Sequence, residues 1–145
     1  MNISVVIPCH NEENNITEIT NRIIKVLNEM SLDLDKIIFI DDGSIDDSWK
    51  EIISLKNKHK DNILGIKFSR NFGHQNAVMA GLKFSKSDLT LIIDADLQDP
   101  PEVLKKMHEE MISAEESLNS ISIKNYYIIL QQDNINQKKY YKKKF

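Results

Sequence analysis

A chain of 145 residues, 41% hydrophobic and 28% charged, holds enough material for one sizeable core and too little for two large domains; no apolar run in it approaches the ~20 residues of a membrane helix. Its net charge of -3 leaves no electrostatic footprint for nucleic acid, and the single cysteine, Cys9, excludes an internal disulfide and fits a reducing compartment. The amino terminus MNISVVIPCH lacks the basic lead and long apolar stretch of a secretory signal.

SVVIP (4–8) reads as a strand stopped by Pro8. Ile16, Ile19, Ile23, Leu27 and Met30 then recur at spacings of three and four, one face of an amphipathic helix. KIIFID (36–41) is a second strand. Ser44 or Asp46 is placed to cap the following helix, whose apolar side carries Trp49, Ile52, Ile53 and Leu55. ILGIKF (63–68) is the third strand, and NFGHQNAVMAGLKFS (71–85) a helix rich in small residues. LTLIID (89–94) is the fourth strand. Pro100 and Pro101 open a helix bearing Val103, Leu104, Met107 and Met111, with Asp99 as its expected cap.

Apolar strands alternating with helices specify an α/β fold, a mostly parallel sheet with helices on both faces. Ligands of such sheets sit beyond the carboxyl ends of the strands. Four polar clusters fall at those ends: His10–Glu13, Asp41–Ser44, Ser69–His74 and Asp94–Gln98.

Asp94 and Asp96 are the sharpest of these. Two residues apart at a strand end, they share a side if the chain stays extended, and each raises the other's cost of ionisation unless a positive charge lies between them. Mg²⁺ or Mn²⁺ would resolve this, taking carboxylate oxygens and completing its shell with water and phosphate; Gln98 could add an amide oxygen. The plainer reading makes Asp96 and Asp99 turn formers and caps. At Asp41 and Asp42, Gly43 permits the turn, and one acid is left to bond a base or ribose. Pro8 fixes the exit of the first strand, Glu12 could accept from ribose or base, and His10 could stack on a nucleotide. Arg70 offers a planar cation to phosphate or a base carbonyl, or pairs with an acidic cluster. Gly73 and Gly81 suit turn geometry and close helix packing. Cys9 reads as inert packing, His74 as structural, and His59 and His108 as outward-facing.

Residues 1–112 hold 13 Lys and Arg against 19 Asp and Glu, net -6, whereas residues 113–145 hold 6 against 3, net +3. The change at Ile112 divides a nucleotide-binding unit, 1–112, from a divergent polar and basic tail, 113–145, expected to be mobile. YYIIL (126–130) reads as a strand of unknown partner. KKYYKKKF reads as a solvated basic end, with attraction to an anionic membrane surface as the sharper alternative.

Taken together, VVIPCHNEENNI, IDDGSIDDS, FSRNFGHQNAVMAGL and LIIDADLQDPPEVL resemble the nucleotide-binding half of glycosyltransferase family 2, which has the Rossmann-like GT-A fold, and within it the polyprenol-phosphate branch. The resemblance covers four ordered blocks within residues 4–104. It implies transfer of a sugar from a nucleotide diphosphate sugar donor to a polyprenyl phosphate, with Mg²⁺ or Mn²⁺, at the cytoplasmic face of a membrane. Position by position, it assigns donor binding to Pro8, His10, Glu12, Ile40, Asp42, Asp94, Ala95 and Asp96. It adds metal binding by Asp94, Asp96 and Gln98, and a catalytic part for Asp96. His10 departs from the tyrosine common in the branch. No acceptor-half pattern follows Ile112, so a truncated or aberrant second half with little turnover of its own is expected. The alternative from another class is a receiver-like acidic-pocket signalling module. Its acidic pair belongs after the first strand, and Ser69-Arg70 stands where its third strand would carry other groups.

Overall fold

The computed structural model describes residues 1–118, 126–130 and 140–143. The elements alternate as expected: β1 (Asn2–Cys9), α1 (Ile16–Glu29), β2 (Asp33–Asp41), α2 (Ser48–Lys58), β3 (Ile63–Lys67), α3 (His74–Phe84), β4 (Leu89–Ile93), α4 (Val103–Leu118), β5 (Tyr126–Leu130) and β6 (Tyr140–Lys143). Among the described residues the strands form one sheet in the order β3-β2-β1-β4-β5-β6. Every neighbouring pair is parallel except β5 with β6.

The two-residue period of a strand sends alternate side chains to opposite faces, and here both faces are apolar. Ile3, Val5 and Ile7, with Ile37, Phe39, Leu89, Leu91 and Ile93, pack against α1, α2 and α4. Val6, Ile38, Ile40 and Ile92 pack against α3. Gly81 lets α3 approach: a Cβ there would lie 2.5 Å from Val6 Cγ1 and 2.6 Å from Ile40 Cδ1. Gly73, at φ 97°, makes the turn into α3.

Several boundaries differ from the sequence reading. β1 does not stop at Pro8 but continues to Cys9, with Pro8 opposite Ile40. Pairing with β4 ends earlier, at Val6 opposite Ile92, so the missing N–H of Pro8 falls where β1 has a neighbour on one side only. β2 starts at Asp33, through DLDK, in which Leu34 is the one apolar residue. The first turn of α4 sends the Val103 and Leu104 N–H groups to the carbonyls of Pro100 and Pro101, in place of a cap by Asp99. At α2 the N-cap is Asp47, which makes no side-chain cap bond; Asp46 Oδ1 instead accepts the Ser48 N–H at 2.9 Å.

His59 and His108 are not simply outward-facing, since both Nε2 atoms are buried and, among the described residues, have no hydrogen-bond partner. Burial holds the His108 imidazole below its ordinary value, against a smaller opposing effect from Glu109. The unfolded chain therefore takes up the proton more readily, and stability present above about pH 6.5 is lost as the pH falls through that window. Thermal melts from pH 7.5 to 5 should show the decline, and His108→Leu should flatten it; parallel curves for the two proteins would contradict this.

The compositional change at Ile112 falls inside α4. Beyond it, Tyr126–Leu130 finds its partner in β4, in parallel register from Leu89 opposite Tyr126 to Ile93 opposite Leu130. The rest of the segment read as a mobile tail, 119–125, 131–139 and 144–145, lies outside the described residues.

Candidate functional site

The chain lays down β1, then β2 and β3 on one side of it, then β4 on the other. That reversal is a topological switch point, where the loops leaving β1 and β4 diverge and open a crevice. A cavity of about 290 Å³ occupies it. The end of β1 contributes Pro8, Cys9, His10 and Glu12, and β2 contributes Asp42. Asn71, His74 and Ala77 come from the third loop and α3, and Asp94, Ala95 and Asp96 from the end of β4. Seven of the sequence-predicted residues therefore converge: Pro8, His10, Glu12, Asp42, Asp94, Ala95 and Asp96.

The first two loops are clasped by reciprocal bonds that the sequence reading took for helix capping. The Asn11 N–H donates to Ser44 Oγ at 2.9 Å, and the Ile45 N–H returns to Asn11 Oδ1 at 2.9 Å. The Glu13 N–H donates to Asp46 Oδ2 at 3.1 Å, and the Asp47 N–H to Glu13 Oε2 at 2.8 Å. The Glu12 N–H reaches Ser48 Oγ at 2.8 Å. His10 Nδ1 lies 2.9 Å from the Asp42 carbonyl; a carbonyl only accepts, so Nδ1 carries the proton and the ring is held in one tautomer. Glu12 is steadied by Asn15, whose amide donates to its Oε2 at 2.7 Å.

Of the acids after β2, Asp41 turns inward: its Oδ1 accepts the Ser44 N–H at 2.9 Å and its Oδ2 is buried without a partner. Asp42 accepts the Phe72 N–H at 2.7 Å and the Gly73 N–H at 3.0 Å. It thereby ties the third loop to the second, with lone pairs remaining for a ligand N–H or O–H.

Asp94 and Asp96 close the other side. Burial raises the Asp94 carboxyl above its usual range; His74 opposes this, and the charges of Asp96, Asp99 and Glu12 add to it. Asp99 is raised too, by burial and by Asp96. His74 Nδ1 lies 3.6 Å from Asp94 Oδ1. The Gln98 N–H donates to Asp96 Oδ1 at 3.0 Å across Leu97, whose φ of 62° is unusual for a branched side chain. Among the described residues no group of three or more His, Cys, Asp or Glu converges to hold a metal by itself. Two carboxylates under mutual repulsion nevertheless suit a hard dication that draws its other ligands from phosphate and water.

Three predicted residues stay out of the cavity. Ile40 is fully buried under α3. Gln98 reaches Asp96 through its backbone. Arg70 is exposed, its guanidinium 4.3 Å from the centre of the Phe72 ring, and among the described residues it makes neither a cavity contact nor the alternative ion pair with an acidic cluster. Conversely, Asn71 and His74 line the cavity without having been assigned to it. His74 was legible as the first helical residue after the Gly73 turn. Cys9 lines it as well, but its thiol donates to the Ile40 carbonyl at 3.4 Å, and burial with nearby acids raises it far above its ordinary value, in keeping with inert packing.

Comparison with known proteins adds to this geometry. The sequence model described as Glycosyl transferase family 2 matches residues 4–144, past the blocks recognised within 4–104. Undecaprenyl-phosphate 4-deoxy-4-formamido-L-arabinose transferase of Proteus mirabilis is 36% identical over 105 residues, covering 72% of this chain and 32% of that protein. The uncharacterized glycosyltransferase YkcC of Bacillus subtilis is 39% identical over 107 residues, covering 74% and 32%. Among solved structures, S. aureus TarS 1–349 superposes with a TM-score of 0.59 at 24% identity, over 79% of this chain and 33% of that one, a likeness of fold. The chain spans about a third of the length of the curated relatives it matches.

Proposed function

Since this chain belongs to glycosyl transferase family 2, we propose that its cavity binds a nucleotide diphosphate sugar, with Mg²⁺ or Mn²⁺ between the donor's diphosphate and the Asp94–Asp96 pair, for transfer of the sugar to a polyprenyl phosphate. The observation that carries this reading is Asp94: half-buried and pressed by Asp96, Asp99 and Glu12, with His74 opposing them. Such a carboxylate suits a cation that arrives with its own anionic ligand.

In this reading each side chain has a task. Asp94 and Asp96 would hold the cation, and the Gln98 side-chain amide, outside the cavity here, would have to turn inward to add a third oxygen. When bound, the cation offsets the negative charge that develops on the leaving diphosphate, which is the catalytic part given to Asp96. Glu12 and Asp42 accept from ribose and base, and His10, fixed in its tautomer, borders the nucleoside. Pro8 and Ala95 keep the walls short and rigid, Ile40 backs the nucleoside position from the core, and Arg70 stands outside the mouth near phosphate. A lipid phosphate acceptor is already anionic, so a strong general base is not required.

The named transferase of Proteus mirabilis supports an undecaprenyl-type acceptor, and the TarS structure in complex with UDP makes a uridine nucleotide the first to try. Among the described residues no helix is long and apolar enough to cross a membrane, and a peripheral position at the cytoplasmic membrane face fits a lipid acceptor. The signalling-module alternative has no observation in its favour.

Calorimetric titration of the chain with uridine and guanosine diphosphates tests the donor site. Binding is expected with Mn²⁺ present and at least ~10-fold weaker in chelator, where the diphosphate would meet the Asp94 and Asp96 carboxylates with no cation between them. Equal heats in both conditions, or none in either, would remove the reading.

A further inference from the structure

From Asn62 to Ser87 the chain carries no Asp or Glu, yet it holds Lys67, Arg70, Lys83 and Lys86. The remaining residues up to 112 hold all 19 acids of that unit against nine Lys and Arg. The acid-free stretch is β3, the third loop, α3 and its exit, and it includes the helix that covers one face of the sheet. On the opposite face three cations have carboxylate partners: Arg22 with Glu102, Lys50 with Asp47 and Lys105 with Glu29. Lys83 and Lys86 are exposed, and among the described residues neither has a carboxylate within ion-pair distance.

The same stretch exposes large apolar side chains: Phe72 is 43% exposed, Met79 57% and Phe84 51%. Met79 is turned away from the sheet because Ala77 and Gly81, on the inner side of α3, are buried against it. Lys83, one turn further on, shares its outer stripe. At the other end of the helix the exposed His74 lines the cavity.

We propose that this face docks on an anionic lipid bilayer. Exposed apolar side chains beside lysines without an ion-pair partner suit a leaflet of negative headgroups: the chains enter the interface while each lysine is drawn to the surface potential. Docked this way, with His74 at one end of α3 lining the cavity, the site lies beside the leaflet in which a polyprenyl phosphate would reside. That last consequence rests on the function proposed above; the docking itself does not.

Flotation with vesicles of phosphatidylcholine alone, and with vesicles in which a third of the lipid is phosphatidylglycerol, tests the proposal. The chain should float with the anionic vesicles only, and less in high salt. The double variant Lys83→Glu/Lys86→Glu should lose at least ~10-fold in partitioning, and Met79→Ser should lose severalfold. Replacing Lys138, Lys139, Lys142, Lys143 and Lys144 by glutamine should change it less than about twofold if the α3 face dominates. Full binding by the double variant, loss confined to the lysine-run variant, or no binding of the parent chain would each overturn the proposal, the last assigning the face to a protein partner. Calorimetry of the same proteins separates the two readings. Nucleotide affinity should survive Lys83→Glu/Lys86→Glu, and a chain that floats but binds no nucleotide would sink the donor site and leave the docking face standing.

Discussion

Asp96→Asn should abolish cation-dependent nucleotide binding with the fold intact, and Asp94→Asn should abolish it while raising the melting temperature of the cation-free protein. Unit charges about 4 Å apart interact by about 4 kcal/mol at an effective dielectric of ~20. Removing one of two carboxylates facing a dication should therefore cost at least ~100-fold in affinity, even with much of that interaction offset by desolvation. The stability change runs the other way. The Asp94 carboxyl is raised by burial, with further contributions from Asp96, Asp99 and Glu12 against His74. A carboxyl whose folded value exceeds its unfolded one binds its proton more readily in the folded state. The fold accordingly loses stability as the pH climbs from about 4 through the raised value, and the ionised group is a burden at neutral pH. Asparagine keeps the shape and removes the charge. Melting should rise at pH 7 and change little at pH 4, while Mn²⁺ should raise the parent's melting temperature and leave both variants unmoved. A lower melting temperature for Asp94→Asn at pH 7 would show that its contact with His74 outweighs burial and like charges.

Gly43→Ala is the second large effect. Gly43 sits at φ 73°, and a Cβ there would fall 2.4 Å from the Arg70 carbonyl carbon and 2.5 Å from the Asn71 nitrogen. Both are backbone atoms, which no rotamer change can move. Left-handed geometry costs a residue with a Cβ about 1–2 kcal/mol, and overpacking adds about 1–3, so a loss of about 2–5 kcal/mol is expected in urea unfolding, a large share of the ~5–15 of a typical domain. To make room, the third loop must retreat, loosening the Phe72 and Gly73 N–H bonds to Asp42 and drawing Asn71 off the cavity wall. Nucleotide affinity should fall even under conditions where the variant is fully folded. Gly73 is the contrast: a Cβ there would meet nothing within 4 Å, so Gly73→Ala should cost only the strain of its own backbone at φ 97° and ψ 152°, about 1–3 kcal/mol. A larger loss for Gly73→Ala than for Gly43→Ala would contradict the steric account.

Much of this was legible beforehand because it rests on local periodicity. The apolar runs at residues 4–8, 36–41, 63–68 and 89–94 lie within or across the observed β1 to β4, and alternation of short strands with helices forces the parallel sheet. The Asp94–Asp96 pair was legible for another reason: two acids directly after a buried strand conflict with burial unless they have a task. What stayed hidden is non-local. Asn11, Glu13, Ser44 and Asp46 carry the signals of turns and caps; that they bond each other across more than 30 residues depends on two loops meeting at neighbouring strand ends. Arg70 offers the same charge to a phosphate, an acid or a ring, and the chain path beside Phe72 chose the ring. His59 and His108 misled because their helical positions looked solvent-facing while their ring ends reach cover. The strand at 126–130 has a pattern of its own but none that names β4 as its neighbour.

The parting of β1 from β4 beyond Val6 and Ile92 means that the cavity straddles a seam between chain segments nearly 90 positions apart. Pro8 on one bank and Asp96 on the other are united only once the fourth strand has docked, so a partly folded chain offers half a binding surface. Any molecule gripping both banks then acts as a rivet: it selects the finished protein over every earlier state, and occupancy and folding become one linked equilibrium.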